Sequence, residues 1–189
     1  MSMSADTETP TPLATFAGWL QGLGEDTRAL GLLLEREDAP EALRRFAAHA
    51  LNQLLHVSDL IPEGIEALGL LETAFAFRLL AARDCQEQPG LAAEDPSGTL
   101  GRLAADAATA AEFLGEDYAR LVAQVDAQRQ RSARGRSPSE LLEMPESRHL
   151  ALEDARSWAQ SYRAPAFGEG SHDLVKLRAF LRTRVRSAA

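Results

Sequence analysis

Residues 59–72 read DLIPEGIEALGLLE and join two apolar segments through an acidic turn that contains a proline. The side chain of Asp59 can accept hydrogen bonds from the unpaired backbone N–H groups at the start of a helix. Pro62 fits the first turn of a helix, where its fixed φ and its missing N–H are tolerated. The pattern therefore predicts two helices joined by a short corner, and it places Gly69 where a neighbouring backbone approaches closely.

Both segments that flank this corner have helical periodicity. The preceding helix carries its apolar residues on one face, namely Leu43, Phe46, Ala47, Ala50, Leu51 and Leu54. Its other face carries polar residues, namely Arg45, His49, Asn52 and His56. The following helix, predicted to run to about Cys85, is apolar nearly all round, which is typical of a helix at the centre of a bundle.

The two helices and their corner resemble the YkvA-like family, also called domain of unknown function 1232. The family pattern is an apolar helix, then D-L-I-P-D-x-I-P-x-x-G-x-x-D-D, then a second apolar helix. The resemblance covers about residues 40–82, and its best-matched positions are Asp59, Leu60, Ile61, Pro62, Ile65 and Gly69. The chain departs from the family at acidic and proline positions: Glu63 replaces the second aspartate, Glu66 replaces the second proline, and Glu72 with Thr73 replaces the closing acidic pair. The resemblance implies an all-α fold, and the family itself has no assigned activity.

Two interpretations of the acidic corner remain open. In the structural one, which we favour, Asp59 caps the helix and Pro62 directs its entry. In the functional one, the oxygen ligands of Asp59, Glu63 and Glu66 hold a hard cation. Because one segment supplies few such ligands, we predict no cofactor.

The remainder of the chain predicts further helices and thus an all-α helical bundle around a central hairpin, with a C-terminal helical extension. Gly24 is expected to end a first helix, and Leu30, Leu33 and Leu34 to belong to a short second one. A long helix is expected from Thr99, with a bend at Gly115. The predicted organisation is a disordered tail (1–12), a YkvA-like bundle (13–131), a hinge or linker (132–148) and C-terminal helices (149–189).

Composition excludes several classes of protein. The chain has 189 residues, and its 45% of hydrophobic residues is typical of a folded protein. Its formal charge of −8 opposes general attraction to nucleic acid or anionic lipid. The single Cys85 cannot form an internal disulfide or a cysteine-rich zinc site. We find no secretory signal pattern and no apolar stretch of the roughly 20 residues that a membrane span needs, so we expect a cytoplasmic protein.

The residue types that commonly perform catalysis do not form a recognisable motif. His49 and His56 are two helical turns apart, about 10 Å at 1.5 Å per residue, and therefore cannot share a metal on a straight helix. Glu72 is expected to form an ion pair with Arg78 or Arg83, because a buried carboxylate needs a partner. Asp84 is expected to raise the pKa of Cys85, which argues against a catalytic thiolate. No P-loop, G-x-G-x-x-G or G-x-S-x-G pattern occurs.

Basic residues form two local patches on this acidic chain. One precedes the predicted linker, with Arg129, Arg131, Arg134 and Arg136, and the other lies on the last helix, with Lys176, Arg178, Arg182 and Arg186. In the structural interpretation, the helix dipole stabilises cations near helix C-termini, and these cations pair with acidic neighbours. The alternative is contact between the last helix and an anion or lipid surface.

The sequence thus favours a non-enzymatic helical interaction or scaffold module that binds a protein partner or self-associates as a homo-oligomer. One alternative is a peripheral membrane or nucleic-acid adaptor that uses the basic last helix, although the nucleic-acid signal is weak. The other alternative is a cation-dependent enzyme that uses the acidic corner.

Overall fold

A computed structural model describes residues 11–56, 66–167 and 172–184. These residues form an all-α bundle, with no strand beyond an isolated bridge between Ala133 and Arg136. The helices are α1 (Pro12–Glu35), α2 (Glu41–Leu55), α3 (Glu66–Glu87), α4 (Thr99–Leu114), α5 (Asp117–Gln128), α6 (Pro138–Glu143), α7 (Pro145–Ser161) and α8 (His172–Arg184), with a 3-10 turn at Leu91–Glu94. The prediction of an all-α bundle is confirmed.

The first helix is longer than its sequence predicts. Thr11 caps α1, because its Oγ1 accepts the N–H of Ala14 at 3.3 Å, and Pro12 occupies the first turn. The helix then continues through Gly24, so the predictions that it ends there and that a second helix follows are wrong. Gly24 instead provides space, since a Cβ at this position would lie 3.1 Å from Cδ1 of Tyr162.

Helix α3 lies at the centre of the bundle, as its nearly continuous apolar surface predicts. It packs most extensively against α4 and also contacts α1, α2 and α5. An aromatic cluster fills the centre, in which the ring centroid of Phe16 lies 4.9, 5.1 and 4.8 Å from those of Trp19, Phe75 and Phe113. These contacts join α1, α3 and α4 into one core.

The expected bend at Gly115 is a complete break between helices α4 and α5. Gly115 has φ of 55°, a value that few residues other than glycine adopt readily. Upstream, the chain reverses through a turn in which Oδ1 of Asp95 accepts the N–H of Ser97 and Oδ2 accepts that of Leu100. The buried Asp95 thereby satisfies a backbone donor at the start of α4.

The linker predicted over residues 132–148 is wrong. Ala133 and Arg136 exchange backbone hydrogen bonds of 2.9 and 3.0 Å across a tight turn, with Arg134 and Gly135 at φ of 50° and 77°. Ser137 then starts α6 with a capping box. The turn is fixed in place because Asp154 on α7 binds Arg134 and Arg136.

The C-terminal helices extend the bundle: α6 and α7 pack against its first two helices, and α8 packs against α5. Helix α7 runs antiparallel to α1: the hydroxyl of Tyr162 donates to the carbonyl of Leu20 at 2.7 Å, while Leu152 contacts the position of Gly31 farther along α1. Helix α6 packs on α2 and α7, and α8 packs on α5. Within the described ranges, we find no helix whose length and apolar character would let it cross a membrane.

Candidate functional site: buried polar clusters and an apolar pocket

The acidic corner predicted from the sequence lies almost wholly outside the described residues. This applies to the six predicted positions Asp59, Leu60, Ile61, Pro62, Glu63 and Ile65, and to the side chain of Glu66. The described ranges contain no group of three or more His, Cys, Asp or Glu side chains that is arranged to hold a metal. Gly69 is described, and no atom of the described residues lies within 4 Å of a Cβ built there, so the close approach expected at this glycine stays a prediction.

A row of buried polar groups, here called the polar seam, joins α2 to the segment that follows α5. It consists of His49, Asn52, Gln53, Asp84, Gln128 and Arg129. The amide of Asn52 accepts the N–H of Ala133 and donates to the carbonyl of Arg131, while Gln53 donates to Oε1 of Gln128 at 2.9 Å. His49, Asn52 and Gln53, which lie on the polar face of α2, are therefore buried and hydrogen-bonded within the protein.

Arg129 is the centre of the polar seam. Its Nε donates to Nδ1 of His49 at 3.2 Å, and its Nη2 donates to Asp84. Arg129 also lies 3.7 Å from a carboxylate oxygen of Glu87. This arginine therefore links α2, α3 and the end of α5 through one guanidinium.

The seam shifts the pKa values of two of its members. Burial, together with the nearby cations Arg129 and Arg45, lowers the pKa of His49 to about 4. Burial raises the pKa of Asp84 from its ordinary value, while Arg129 opposes that rise. At neutral pH the histidine is uncharged, which agrees with Nδ1 acting as a hydrogen-bond acceptor.

A second buried cluster, the Arg78 cluster, consists of Asp26, Arg78, Arg102 and Asp106 beside Trp19. Arg78 is 1% exposed, and its guanidinium carbon lies 4.0 Å from the centroid of the Trp19 ring. It donates to Asp106 at 3.1 Å and lies 3.9 Å from Asp26, which Arg102 also binds. Burial lowers the pKa of Arg78 to about 10, although both aspartates oppose that shift, so the residue stays charged at neutral pH.

Two smaller predictions concern the neighbours of α3. Arg78 forms ion pairs with Asp26 and Asp106, and Arg83 forms ion pairs with Glu87 and Asp126. Glu72 is buried and has a contact of its own, and its ion pair with Arg78 or Arg83 stays a prediction. The predicted rise in the pKa of Cys85 is confirmed, with burial as the larger cause and Asp84 as the smaller one.

The basic residues of α8 are largely held by the protein itself. Arg178 lies 4.5 Å from the centroid of the Phe113 ring and donates to the Phe113 carbonyl, and Arg182 donates to Asp117 at 2.9 Å. Lys176 is exposed but has a contact of its own. The fourth predicted residue, Arg186, lies outside the described ranges.

An apolar pocket, here called the α1–α8 pocket, opens where the start of α1, the end of α4 and α8 meet. Its volume is about 550 Å³, and its lining residues are Thr11, Pro12, Leu13, Phe113, Leu174, Val175 and Arg178. Val175 is 65% exposed, an unusual position for a large apolar side chain of a helix that also contributes Leu177 to the core. Within the described part of the chain, Arg178 is the only charged residue that lines this pocket.

Smaller grooves lie elsewhere on the bundle. One of about 240 Å³ runs between α1 and α7 beside Leu32, and its rim carries the ion pair between Glu35 and Arg156. Another of about 350 Å³ lies between α3 and α5, where Tyr118 faces Arg83 and Glu87. Ion pairs cross or border both grooves, and both grooves are smaller than the α1–α8 pocket.

Sequence reasoning missed the polar seam and the pocket for different reasons. The spacing of His49, Asn52 and Gln53 places three uncharged polar side chains on one face of α2, and that pattern is a usable signal for a buried hydrogen-bonding face. The pocket combines residues more than 150 positions apart, so no local pattern reveals it.

Comparisons with known proteins do not assign the chain to a family. No family model, no curated protein and no solved structure matches it.

Proposed function

We propose that this protein is a non-enzymatic helical interaction module that binds a protein partner through the α1–α8 pocket. The observation that carries the proposal is the 65% exposure of Val175 on the wall of an apolar pocket of about 550 Å³. A partner that covers this apolar pocket is stabilised there, because apolar area is removed from water.

The distribution of the reactive side chains supports the same proposal. His49 and Asp84 are 6% and 7% exposed and are engaged by Arg129, so a substrate has little access to them. Asp26 and Arg78 are 3% and 1% exposed within their own cluster. In these positions the groups hold helices together, whereas the accessible surface at the pocket is apolar.

The proposal is tested by affinity capture from a lysate of the native host. Wild-type protein is compared with Val175→Glu, which places a charge on the pocket wall, and with the matched control Leu150→Glu, which changes an exposed leucine of α7 outside the pocket. We expect a partner that is captured by wild type and Leu150→Glu but at least about tenfold less by Val175→Glu, because the new carboxylate replaces apolar surface and must lose its water when the partner covers the pocket wall. Equal capture by all three proteins would contradict the proposal.

A peripheral membrane adaptor is the second candidate, favoured by the exposure of Val175 beside Lys176 and Arg182 on α8. It has less support because Arg182 is bound to Asp117 and Arg178 to Phe113. Vesicle flotation with and without phosphatidylglycerol tests it, and binding that requires the anionic lipid and Lys176 would favour this candidate.

A further inference from the structure

We infer that the α1–α8 pocket recognises the free carboxyl terminus of a partner protein whose last residue has a large aliphatic or aromatic side chain. This inference rests on the proposed function and names the chemistry of the partner at the same site.

The pocket provides a binding surface for one large apolar side chain. Its volume of about 550 Å³ lies within the range of about 300–1,000 Å³ that is common for small-ligand sites. Leu13 and Leu174 are half-buried, Phe113 is buried, and Val175 is largely exposed. A side chain that enters the pocket therefore covers apolar surface on several sides, which stabilises the complex.

Arg178 provides the positive charge on the pocket wall. One of its N–H groups donates to the Phe113 carbonyl, and the guanidinium lies over the Phe113 ring. Because neither the carbonyl nor the ring is a charged group, the positive charge of Arg178 is not neutralised by these contacts. Among the described residues, no carboxylate lies within ion-pair distance of Arg178, unlike Arg182, which is bound to Asp117. An arginine has five N–H donors, and the remaining ones can bind a carboxylate with two parallel hydrogen bonds.

Two helix ends of opposite partial charge border Arg178: the positive start of α1, and the negative end of α4, where the Phe113 carbonyl accepts a hydrogen bond from Arg178. The first turn of α1 contributes Thr11, Pro12 and Leu13 to the pocket, and it contains no acidic residue. The N-terminal end of a helix carries partial positive charge, which adds to the field of Arg178. The described lining thus combines an apolar surface with positive charge, and its complement is an apolar group that carries an anion.

A chain terminus fits this combination better than an acidic internal segment. In a C-terminal residue the side chain and the carboxylate are attached to the same Cα, so both can reach one small pocket, and the partner backbone leaves in one direction only. The net charge of −8 also repels a partner segment with several acidic residues, whereas one terminal carboxylate meets Arg178 at short range.

The test uses the full chain and two pools of octapeptides that are randomised at their last three positions. One pool has free carboxylates, and the other has C-terminal amides. We expect wild-type protein to enrich peptides that end in Leu, Ile, Val or Phe from the first pool, with at least about tenfold weaker binding of the same peptides as amides, because the charged hydrogen bonds are lost.

Three variants locate the binding. Arg178→Met should weaken binding of the enriched acids about tenfold or more while leaving the amides unchanged. Val175→Glu should weaken it similarly, and it changes an exposed residue, so it remains informative if Arg178→Met unfolds in a circular-dichroism melt. Leu150→Glu, outside the pocket, should bind like wild type.

The outcomes separate this inference from the proposed function. Equal binding of acids and amides, or enrichment of peptides with internal acidic residues, overturns the carboxyl-terminus inference while a Val175-dependent host partner still supports the interaction module. Enrichment from neither pool overturns the inference as well. Binding of phosphatidylglycerol vesicles or of free decanoate that is lost in Arg178→Met, without any peptide binding, identifies a lipid as the occupant and overturns both.

Discussion

The polar seam buries polar side chains, whereas the α1–α8 pocket exposes an apolar one. Both depart from the usual placement of polar residues at the surface and apolar residues inside. In the seam, the uncharged His49, Asn52 and Gln53 are buried, while at the pocket Val175 is 65% exposed. The seam residues bind one another and the backbone, so their polarity holds α2 to the segment after α5. The comparison teaches that buried polar groups in this protein hold helices together, and that the surface we propose for partner binding is apolar.

The first prediction extends the comparison to the most deeply buried cation. Arg78→Met should lower the free energy of unfolding by about 3–5 kcal/mol, because it leaves buried Asp26 with less compensation. Urea denaturation followed by circular dichroism measures the change. Arg36→Met, the control, removes an exposed ion pair with Asp38 and should unfold at nearly the same urea concentration as wild type.

Urea denaturation can also identify which group causes the loss of stability in Arg78→Met. If the Asp26 carboxylate, then paired only with Arg102, is responsible, adding Asp26→Asn to Arg78→Met should recover part of the stability. A loss of under about 1 kcal/mol in Arg78→Met would contradict the view that the buried charges support the core.

The second prediction concerns the dependence of stability on pH. The folded-state pKa of His49 is about 4, below its ordinary value of 6.5, so the unfolded chain binds a proton more readily. The stabilisation is therefore complete above pH 6.5 and declines as the pH falls towards 4, by up to about 3 kcal/mol. Asp84 acts in the opposite sense, because its raised pKa adds stability at acid pH that is lost as the pH rises through its folded-state value.

His49→Gln separates these two contributions. Glutamine can still accept the hydrogen bond from Arg129 but does not titrate in this range. Urea denaturation between pH 7 and pH 4.5 should show a weaker loss of stability in His49→Gln than in wild type. Parallel curves for the two proteins would show that His49 is not the responsible group.

The third prediction tests the contact that fixes the turn after α5. Asn52→Ala should lower the free energy of unfolding by about 2 kcal/mol, because the carbonyl of Arg131 loses its hydrogen bond from Asn52 and the N–H of Ala133 keeps only its bond to the Arg136 carbonyl. Hydrogen exchange should also become faster at the amide of Ala133. Replacement of the exposed Gln160 by Ala on α7 is the control, with a change within about 0.5 kcal/mol.

The smallest expected effect on stability belongs to the pocket. Val175→Glu should change the free energy of unfolding by no more than about 0.5 kcal/mol, because the side chain is already largely in water. Its effect should instead be on partner binding, as measured by the capture experiment. A large loss of stability would show that Val175 belongs to the core, and the contrast between seam and pocket would then fail.

Local patterns predicted much of the helical content but not the places where helices stop. The chain continues through Gly24 because Tyr162, more than a hundred residues away, packs against that position, and no local signal reports such a contact. The turn at Arg134 and Gly135 resembles a flexible linker in sequence, yet Asp154 binds Arg134 and Arg136 on either side of the glycine. Each error arose where a distant side chain overrode the local signal.

By itself, the sequence determined the all-α class, the central position of α3 and the absence of an internal disulfide, because apolar periodicity and cysteine count are properties of the chain alone. Only the tertiary structure decided which polar groups are buried and which apolar residues remain exposed. The burial of His49 depends on Arg129, and the pocket beside Val175 depends on where α8 meets α1 and α4. Burial results from the packing of several helices at once, so it cannot be assigned from the periodicity of any single helix.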